Sequence, residues 1–347
     1  MKEKKKIAFC ITCMNRLSHI RQTLLQNMED NFLPDEVEFI LLDYNSTDGL
    51  EEWVKTLQKY IDLSILHYYR METPEYYHRS HSRNIAFRLS CAEILCNLDA
   101  DNFLGKGFAE YIFREFDKFS GERIFMTSSC QYRDTFGRVC VRSEDFRNIR
   151  GYNELLIGYG TEDLDLFDRL LQSGLQQNLF GDKQFLGAIY HSHLERIANE
   201  YRYKQLTGLY LAYESPYKVL FFAYYKDETC ESGSLINNEL CNFNHNKHFT
   251  NMVELFYDGV YRTMLDSPLL KEKRKFPDNE TIIVNNSIYY KIEDEGIIAE
   301  FIFYLSDADN FETIRKTGNK KENVNTSGFG KGTVYKNFDY TNPIILD

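Results

Sequence analysis

The chain has 347 residues, 43% of them hydrophobic and 27% charged, which is a composition typical of globular proteins and a length that suits about two domains. Its formal net charge of -11 argues against a general binder of nucleic acid, because such proteins need an excess of Lys and Arg over acidic residues. The sequence has neither an apolar run long enough to span a bilayer nor a cleavable signal peptide. It therefore predicts a cytoplasmic protein.

The eight cysteines are scattered along the chain, a usage that favours reduced, buried thiols over a disulfide framework. Cys10 and Cys13 form a CxxC pair, but they lie in an apolar strand-like run, and no second pair follows at zinc-binding spacing. We therefore expect these two thiols to pack in the core.

Short apolar runs alternate with longer amphipathic segments over the first hundred residues, which predicts an α/β layer. The predicted strands are 7–12, 38–43, 64–68 and 93–98, and the predicted helices are 17–28, 50–60 and 80–90. A polar cluster follows each strand. Ligands of open α/β sheets bind at the carboxyl ends of the strands, so these clusters are candidate site residues by position.

The next hundred residues predict a helix over 107–119, a strand over 123–128, a hairpin around 134–137 and a helix over 164–173 that Thr161 caps. We assign residues 1–200 to one domain and 201–347 to an accessory region. The accessory region is predicted to be helical to about residue 270. A β-rich tail then follows, with strands at 282–284, 288–291 and 297–304.

The segment Tyr201–Lys226 combines apolar and basic residues and has two interpretations. It could be a helix that packs on the first domain, or an amphipathic helix that rests on the inner face of a membrane. The acidity of the whole chain favours packing.

Asp99 and Asp101 directly follow an apolar strand at positions i and i+2. Leaving a strand, both carboxylates can point into one cleft, where hard oxygen ligands suit Mg²⁺ or Mn²⁺ that also bridges a diphosphate. The segment Ser306–Phe311 nearly repeats this motif without matching elements around it. We interpret that second copy as a surface turn.

The run Gly158–Asp165 places three carboxylates after two glycines and an aromatic residue. Acidic residues in the first turn of a helix are stabilised by the helix dipole, so capping alone could explain them. The glycines also let another molecule approach the backbone, and Tyr159 offers a face for stacking on a sugar. An ionised Asp at this place could act as a general base.

These motifs occur in order with other short motifs, and together they resemble the GT-A glycosyltransferases of the family 2 type. Residues 151–199 resemble the C-terminal catalytic part of β-1,4-galactosyltransferases and chondroitin-type polymerases. The resemblance covers residues 1–200 and implies an α/β fold with a Rossmann-like, nucleotide-binding mixed sheet flanked by helices. The matching motifs are Thr12–Arg16, Leu42–Asp48, Ser82–Ala86, Leu98–Asp101, Arg150–Glu154, Gly158–Asp165 and Tyr190–His193.

The resemblance implies a UDP-sugar donor, with Asp43 reading the uracil or ribose and Arg83 near the diphosphate. Asp99 and Asp101 would hold the nucleotide and a Mn²⁺ or Mg²⁺ ion, and His191 or His193 would complete the metal shell. The residues implied to bind the nucleotide sugar are Thr12, Asn15, Arg16, Asp43, Arg83, Asp99 and Asp101.

On the acceptor side, the resemblance implies that Asp163 removes the proton from the acceptor hydroxyl and that Glu162 orients the saccharide. Tyr159 and Gly160 would contact the acceptor, with Tyr159 where the family usually has Trp. The first-turn position of Asp163 favours its charged form. Leu164 stands where galactosyltransferases that use N-acetylglucosamine have a carboxylate, so that acceptor is not assumed.

The expected activity is a metal-dependent, inverting transfer of a sugar of the Gal, GalNAc or GlcNAc type from a UDP-sugar to a saccharide or lipid-linked saccharide. Tyr44 replaces the second Asp of a usual Asp-Asp pair, which makes the donor base less certain. The alternative is a non-catalytic, carbohydrate-binding subunit of a glycan-synthesis complex with the same fold. A nucleotidyltransferase is disfavoured because the segment after the first strand contains no glycine.

Overall fold

The computed structural model describes residues 5–215, 218–236, 239–247, 254–257, 261–262, 273–274, 280–284, 287–318 and 320–347. The chain divides into two compact units. The first comprises Met1–Ile157, Thr161–Tyr190 and Ile314–Asp347, and the second comprises Gly158–Gly160 and His191–Thr313.

Strands and helices alternate in the first unit as the sequence predicts. Its strands are β1 (Ile7–Cys13), β2 (Val37–Tyr44), β3 (Leu66–Met71), β4 (Ile94–Asn97), β5 (Asn102–Phe103), β6 (Ile124–Thr127), β7 (Val139–Arg142), β8 (Gln176–Leu179) and β9 (Gly187–Ala188). Its helices are α1 (Leu17–Asp30), α2 (Leu50–Lys55), α3 (Gln58–Asp62), α4 (Arg79–Arg88), α5 (Phe108–Lys118), α6 (Ser143–Asn148) and α7 (Glu162–Gln172). Short 3₁₀ turns lie at Arg133–Thr135, Lys183–Phe185 and Lys321–Asn323.

The second unit contains an antiparallel sheet and a long helix. Its elements are α8 (His193–Ile197), α9 (Tyr201–Gln205), β10 (Leu206–Ser215), β11 (Lys218–Tyr225), β12 (Thr229–Ile236), β13 (Glu239–Lys247), β14 (Glu254–Tyr257), β15 (Tyr261–Arg262), β16 (Lys273–Arg274), β17 (Glu280–Val284), β18 (Ser287–Ile292) and most of α10 (Glu295–Thr317). The chain then returns to the first unit as β19 (Gly332–Lys336) and β20 (Asp339–Leu346).

The large sheet of the first unit is mixed, with the order β20-β19-β3-β2-β1-β4-β7-β6-β8. β1 runs parallel to β2 and β4, whereas β7 runs antiparallel to β4 and β6. Every residue of β1 and β2 is buried, as expected for strands covered on both faces. Since β1, β2 and β4 are parallel, the polar residues after them meet at one edge of the sheet. This arrangement confirms the predicted α/β fold with a mixed sheet.

The prediction of a helical stretch from residue 201 to about 270 is wrong for the described residues from 206 onward, which form strands. β10 and β11 pair antiparallel, with Tyr210 opposite Phe222. Alternate residues of β11, such as Val219 and Phe221, are fully buried in one apolar cluster, so period two rather than period 3.6 governs the segment. Both interpretations of Tyr201–Lys226 as one helix are therefore wrong, since only α9 (Tyr201–Gln205) is helical there, and contact with a membrane stays a prediction.

The sequence also misassigned 297–304, predicted as a strand, because these residues form part of α10. Phe301, Leu305 and Ala308 are buried at helical spacing in the apolar cluster of the second unit. The repeated motif Ser306–Phe311 lies within this helix and is not a surface turn, since Ser306 is fully buried.

The C-terminal residues join the catalytic sheet instead of an accessory tail. β19 pairs antiparallel with β3, and β20 forms the edge of the sheet. The division between the units therefore does not coincide with the boundary predicted at residue 200.

Smaller expectations have mixed outcomes. The predicted helix 50–60 is two short helices, α2 and α3. Cys10 and Cys13 are free, buried thiols in β1, as predicted. Among the described helices, none combines the length and hydropathy that crossing a bilayer requires.

Candidate active site

The carboxyl end of β2 is organised around Asp43, which is fully buried. Its Oδ2 accepts hydrogen bonds from the Tyr68 hydroxyl (2.7 Å) and Arg70 Nη1 (2.5 Å), and its Oδ1 accepts one from the Ser46 N–H (2.7 Å). Burial raises the pKa of Asp43, although these donors oppose the shift. Asp43 thus fixes the loop after β2, and its role in reading the base or ribose stays a prediction.

The loops after β1 and β2 are tied to each other. Asn15 has a left-handed φ of 54°, and its Oδ1 accepts the Thr47 N–H at 2.7 Å. The Thr12 hydroxyl lies 2.7 Å from the Tyr77 hydroxyl. Burial lowers the pKa of Arg16, while the charge of Asp101 raises it and that of Arg79 lowers it, so these three charged groups belong to one electrostatic cluster.

Arg83 from α4 joins three carboxylates that lie far apart in the sequence. Its Nη1 donates to Asp163 Oδ1 (2.9 Å) and Glu162 Oε1 (3.3 Å), and its Nη2 donates to Asp99 Oδ1 (3.2 Å). Only 5% of Arg83 is exposed. The two predicted catalytic residues, Glu162 and Asp163, therefore contact the same guanidinium as Asp99. The expected contact of Arg83 with a diphosphate stays a prediction.

The charges around Arg83 separate the acidities of the two aspartates. Burial raises the pKa of Asp163 to about 7; Arg83 opposes this shift, whereas Glu162 and Asp99 add to it. Burial alone would raise the pKa of Asp99 too, but Arg83 and the Asn97 amide hold it below its usual value. Desolvation and the neighbouring carboxylates therefore oppose the effect of the helix dipole, and the charged form of Asp163 at working pH stays a prediction.

Gly137 closes the site from the β6–β7 connection. A Cβ atom there would lie 2.8 Å from Asp163 Oδ2 and 3.1 Å from Arg83 Nη2. The Gly137 carbonyl accepts a hydrogen bond from Asn97 Nδ2, which also donates to Asp99 Oδ1 at 3.1 Å. Only a residue without a side chain leaves this much room beside the carboxylates.

The motifs 82–86 and 150–154 come together through Asn84. Its side chain exchanges hydrogen bonds with the backbone N–H and carbonyl of Tyr152, and its Nδ2 donates to Glu154 Oε1 at 2.8 Å. The C-terminal segment supports the same place: Asn325 Oδ1 accepts the Glu154 N–H, and the Gly330 N–H donates to Glu154 Oε1 at 2.6 Å. The C-terminal residues thus belong to the architecture that supports the site.

The glycine turn before α7 belongs to the second unit, where α10 covers it. The Tyr159 ring lies 4.3 Å from that of Phe303, and Asn310 Nδ2 donates to the Gly160 carbonyl at 2.8 Å. Gly158 and Gly160 have left-handed φ values of 83° and 100°, and a Cβ atom on either would contact side chains of α10. Helix α10 thus packs closely against these glycines, and contact of Tyr159 and Gly160 with an acceptor stays a prediction.

Helix α7 begins at Glu162, two residues before the predicted start at 164, and Thr161 has a φ of 70° and makes no side-chain capping hydrogen bond. The helix is held instead by the fully buried pair Arg169–Asp165, with Nε to Oδ2 at 2.9 Å. Arg169 Nη1 also donates to the Gly151 carbonyl at 2.7 Å. These hydrogen bonds fix the position of α7, which carries the carboxylates of the site in its first turn.

The metal ligands predicted from histidine stay predictions. His191 and His193 belong to the second unit, where the His193 ring stacks on Phe303 with centroids 4.1 Å apart. Within the described ranges, no group of three or more His, Cys, Asp or Glu side chains is arranged to hold a metal ion. Asp99 and Asp101 remain the candidate carboxylate ligands.

Sequence reasoning missed Arg79, Gly137 and Asn325. Arg79 Nε lies 4.0 Å from Glu162 Oε1, and its position four residues before Arg83, directly before the predicted helix 80–90, was the signal that could have found it. Gly137 and Asn325 gave no such signal, because their neighbours in the site are distant in the sequence.

Two family models match parts of this chain. Residues 8–142 match the family model of glycosyl transferase family 2, and residues 126–193 match a model described as the N-terminal domain of galactosyltransferase. No curated protein matches the chain.

Solved structures give distant likenesses. Staphylococcus aureus TarS, residues 1–349, is 16% identical over 55% of this chain and 61% of its own, with a TM-score of 0.44. The mannosyltransferase PcManGT from Pyrobaculum calidifontis, in complex with GDP-Man and Mn²⁺, is 15% identical over 52% of this chain and 56% of its own, with a TM-score of 0.43. A mutant Drosophila β-1,4-galactosyltransferase 7 is 13% identical over 55% of this chain and 73% of its own, with a TM-score of 0.39. The chain thus spans about three fifths of the first two structures.

Proposed function

We propose that this chain, whose residues 8–193 belong to the GT-A glycosyltransferases with a family 2 part and a galactosyltransferase-like part, transfers a sugar from a UDP-sugar to a saccharide acceptor. The sugar is of the Gal, GalNAc or GlcNAc type, and its anomeric configuration is inverted. The single observation that carries the proposal is the convergence of Asp99, Glu162 and Asp163 on Arg83.

Asp163 is the proposed general base. With the pKa of Asp163 raised to about 7, the carboxylate is basic enough to take a proton from an acceptor hydroxyl, yet it is ionised in a large fraction of molecules near neutral pH. Its side chain keeps 14% exposure, which leaves an approach for that hydroxyl. Arg83 holds Asp163 Oδ1 and so orients the carboxylate.

The deprotonated hydroxyl attacks the anomeric carbon of the donor from the side opposite the nucleotide. One bond forms between acceptor oxygen and anomeric carbon while the bond from that carbon to the diphosphate oxygen breaks, and the proton moves to Asp163. Attack in line with the leaving group inverts the anomeric centre. Arg16 and Arg79 supply positive charge near Asp101, which favours binding of the diphosphate.

Asp99 and Asp101 fit a divalent cation, because their carboxylates are hard oxygen donors of the kind that Mn²⁺ and Mg²⁺ prefer. Mg²⁺ is often bound by one or two protein carboxylates together with the phosphates of a substrate. When bound, the ion neutralises the charge that develops on the leaving diphosphate. His191 and His193 are proposed as further ligands from the sequence motif alone.

The test is to incubate the protein with a panel of nucleotide sugars and Mn²⁺, without an acceptor, and to measure release of the nucleoside diphosphate. We expect slow hydrolysis of one UDP-sugar that EDTA abolishes. Asp163→Asn should keep the rise in melting temperature caused by UDP and Mn²⁺ but lose turnover by a factor of about 10² to 10⁴, the usual contribution of a general base. Asp168→Asn, an exposed change on the same helix, is the matched control.

Binding of saccharides without donor hydrolysis or a UDP response would refute the proposal. That result would favour the alternative of a carbohydrate-binding subunit. Release of pyrophosphate would instead indicate a nucleotidyltransferase.

A further inference from the structure

Arg138 is a fully buried guanidinium that takes no direct part in the mechanism above. It donates hydrogen bonds to the Phe185 carbonyl, to the Phe103 carbonyl (3.0 Å) and to Asn102 Oδ1 (3.0 Å). No carboxylate of the described residues forms an ion pair with it. Burial of such a charge among neutral acceptors is costly, so a guanidinium at this position calls for an explanation.

Asn102 connects Arg138 to Asp101, the second of the two candidate carboxylate ligands. It is also fully buried, and its Nδ2 donates to Asp101 Oδ1 at 2.8 Å and to the Asp134 carbonyl at 3.0 Å. Because Arg138 occupies the amide oxygen, the amide NH₂ group must face Asp101. The opposite orientation would place the amide oxygen against a carboxylate and a carbonyl, which is repulsive.

Helix α1 supports the same loop through hydrogen bonds to its backbone. The Thr23 hydroxyl donates to the Ala100 carbonyl at 2.7 Å, and Asn27 Nδ2 donates to the Asn102 carbonyl at 2.9 Å. Asn31 binds the Gly105 carbonyl and accepts the Ala109 N–H. These hydrogen bonds from α1 hold the backbone of the loop in addition to the one that Arg138 donates to the Phe103 carbonyl.

We infer that Arg138 and Asn102 are positioning residues that set the orientation of the Asp101 carboxylate toward the metal-bound diphosphate of the donor. The inference rests on the proposed function. Arg138 orients the Asn102 amide, and that amide holds one oxygen of Asp101. The buried positive charge behind the loop also offsets part of the repulsion between Asp99 and Asp101.

The substitution Asn102→Asp tests this inference. The new carboxylate can still accept from Arg138 and forms an ion pair with it, which favours folding, but it replaces the donor to Asp101 with a repelling oxygen. Binding of UDP is measured by titration calorimetry with saturating MnCl₂ and again with EDTA. We expect affinity in Mn²⁺ to fall at least tenfold, while binding in EDTA equals that of the wild type.

Asn148→Asp is the control, because it makes the same chemical change at an exposed asparagine at the end of α6, outside the loop and its supports. We expect its affinity for UDP in Mn²⁺ to stay within threefold of the wild type. The melting temperature without ligand reports whether each variant is folded, and Asn102→Ala, expected to lose affinity by a smaller factor, replaces Asn102→Asp if that variant is unfolded.

Unchanged affinity of a folded Asn102 variant in Mn²⁺ would overturn the inference. An equal loss in Mn²⁺ and in EDTA would also overturn it, since a general disturbance of the site explains that result. If wild-type protein binds no UDP in Mn²⁺, the proposed function itself fails, and the inference fails with it.

Discussion

Asp163 makes the stability of the protein depend on pH in a way that Asp163→Asn should remove. Burial and the neighbouring Glu162 and Asp99 disfavour the charged form of Asp163 and raise its pKa in the folded protein from the ordinary 3.8 to about 7. A carboxyl group with a raised pKa in the folded state contributes stability that is fully present below its unfolded pKa. That contribution is lost as the pH rises through the folded pKa.

The size of the effect follows from the difference in proton binding. Between pH 5 and pH 7 the folded state keeps the proton that the unfolded state has released, which lowers the free energy of unfolding by about 1.4 kcal/mol per pH unit. Above pH 7 the curve flattens. The wild type should therefore lose about 3 kcal/mol from this group between pH 5 and pH 8, and Asp163→Asn should lack that loss.

The assay is urea unfolding of both proteins at several pH values from 5 to 8. At each pH we take the difference in unfolding free energy between variant and wild type, and we follow how this difference changes with pH. Contacts that the substitution removes at every pH add a constant to the difference, so they do not affect its change with pH. Asp168→Asn controls for the removal of a carboxylate from an exposed position on the same helix.

A difference between Asp163→Asn and wild type that stays constant from pH 5 to pH 8 would refute the reasoning. It would mean that Asp163 titrates at its ordinary pKa and that its burial is offset by Arg83.

The remaining predictions concern catalysis and the supports of the site. Glu162→Gln removes a negative charge beside Asp163 and should lower its pKa, so the acidic limb of kcat/KM against pH, expected near pH 7 in the wild type, should move to lower pH. Gly137→Ala adds a methyl 2.8 Å from Asp163 Oδ2 and should reduce turnover at least about tenfold. Gly121→Ala, with no neighbour within 4 Å, is its control and should be neutral in the same rate assay. Asn325→Ala removes hydrogen bonds to the backbone of residues 150, 152 and 154 and should lower the unfolding free energy by about 1–3 kcal/mol in urea. Asn342→Ala on the exposed strand β20 should change it by less than about 0.5 kcal/mol.

Local patterns in the sequence determined much of the first unit. The apolar runs that became β1, β2 and β4 were predicted within one or two residues, because strands covered on both faces are apolar throughout. The position of polar residues directly after these strands predicted Asp43, Asp99 and Asp101 at one edge of the sheet. The order of the short motifs predicted the family that the comparisons support.

The second unit shows where local patterns fail. Residues after 206 were predicted to be helical from their aromatic and apolar content, which suits a buried strand equally well. The antiparallel pairing of β10 with β11 decides between strand and helix for this segment. The pairing joins residues that are separated in the sequence by more than one helical turn, so a local pattern does not reveal it. The reverse error occurred at 297–304, where the apolar cluster of the second unit selects the helix α10.

Only the tertiary structure decided the chemistry of the site. The sequence identifies Asp163 as an acidic residue in the first turn of a helix, and that position alone predicts a charged group. Its raised pKa comes from Glu162, Asp99 and desolvation, and Asp99 reaches it only through folding. Other contacts of the site also join segments that are distant in the sequence. Gly137 lies beside Asp163, Asn325 binds the backbone of residues 150–154, and Asn102 connects Arg138 to Asp101. Electrostatic and steric effects depend on distances in space, so sequence spacing alone does not determine them.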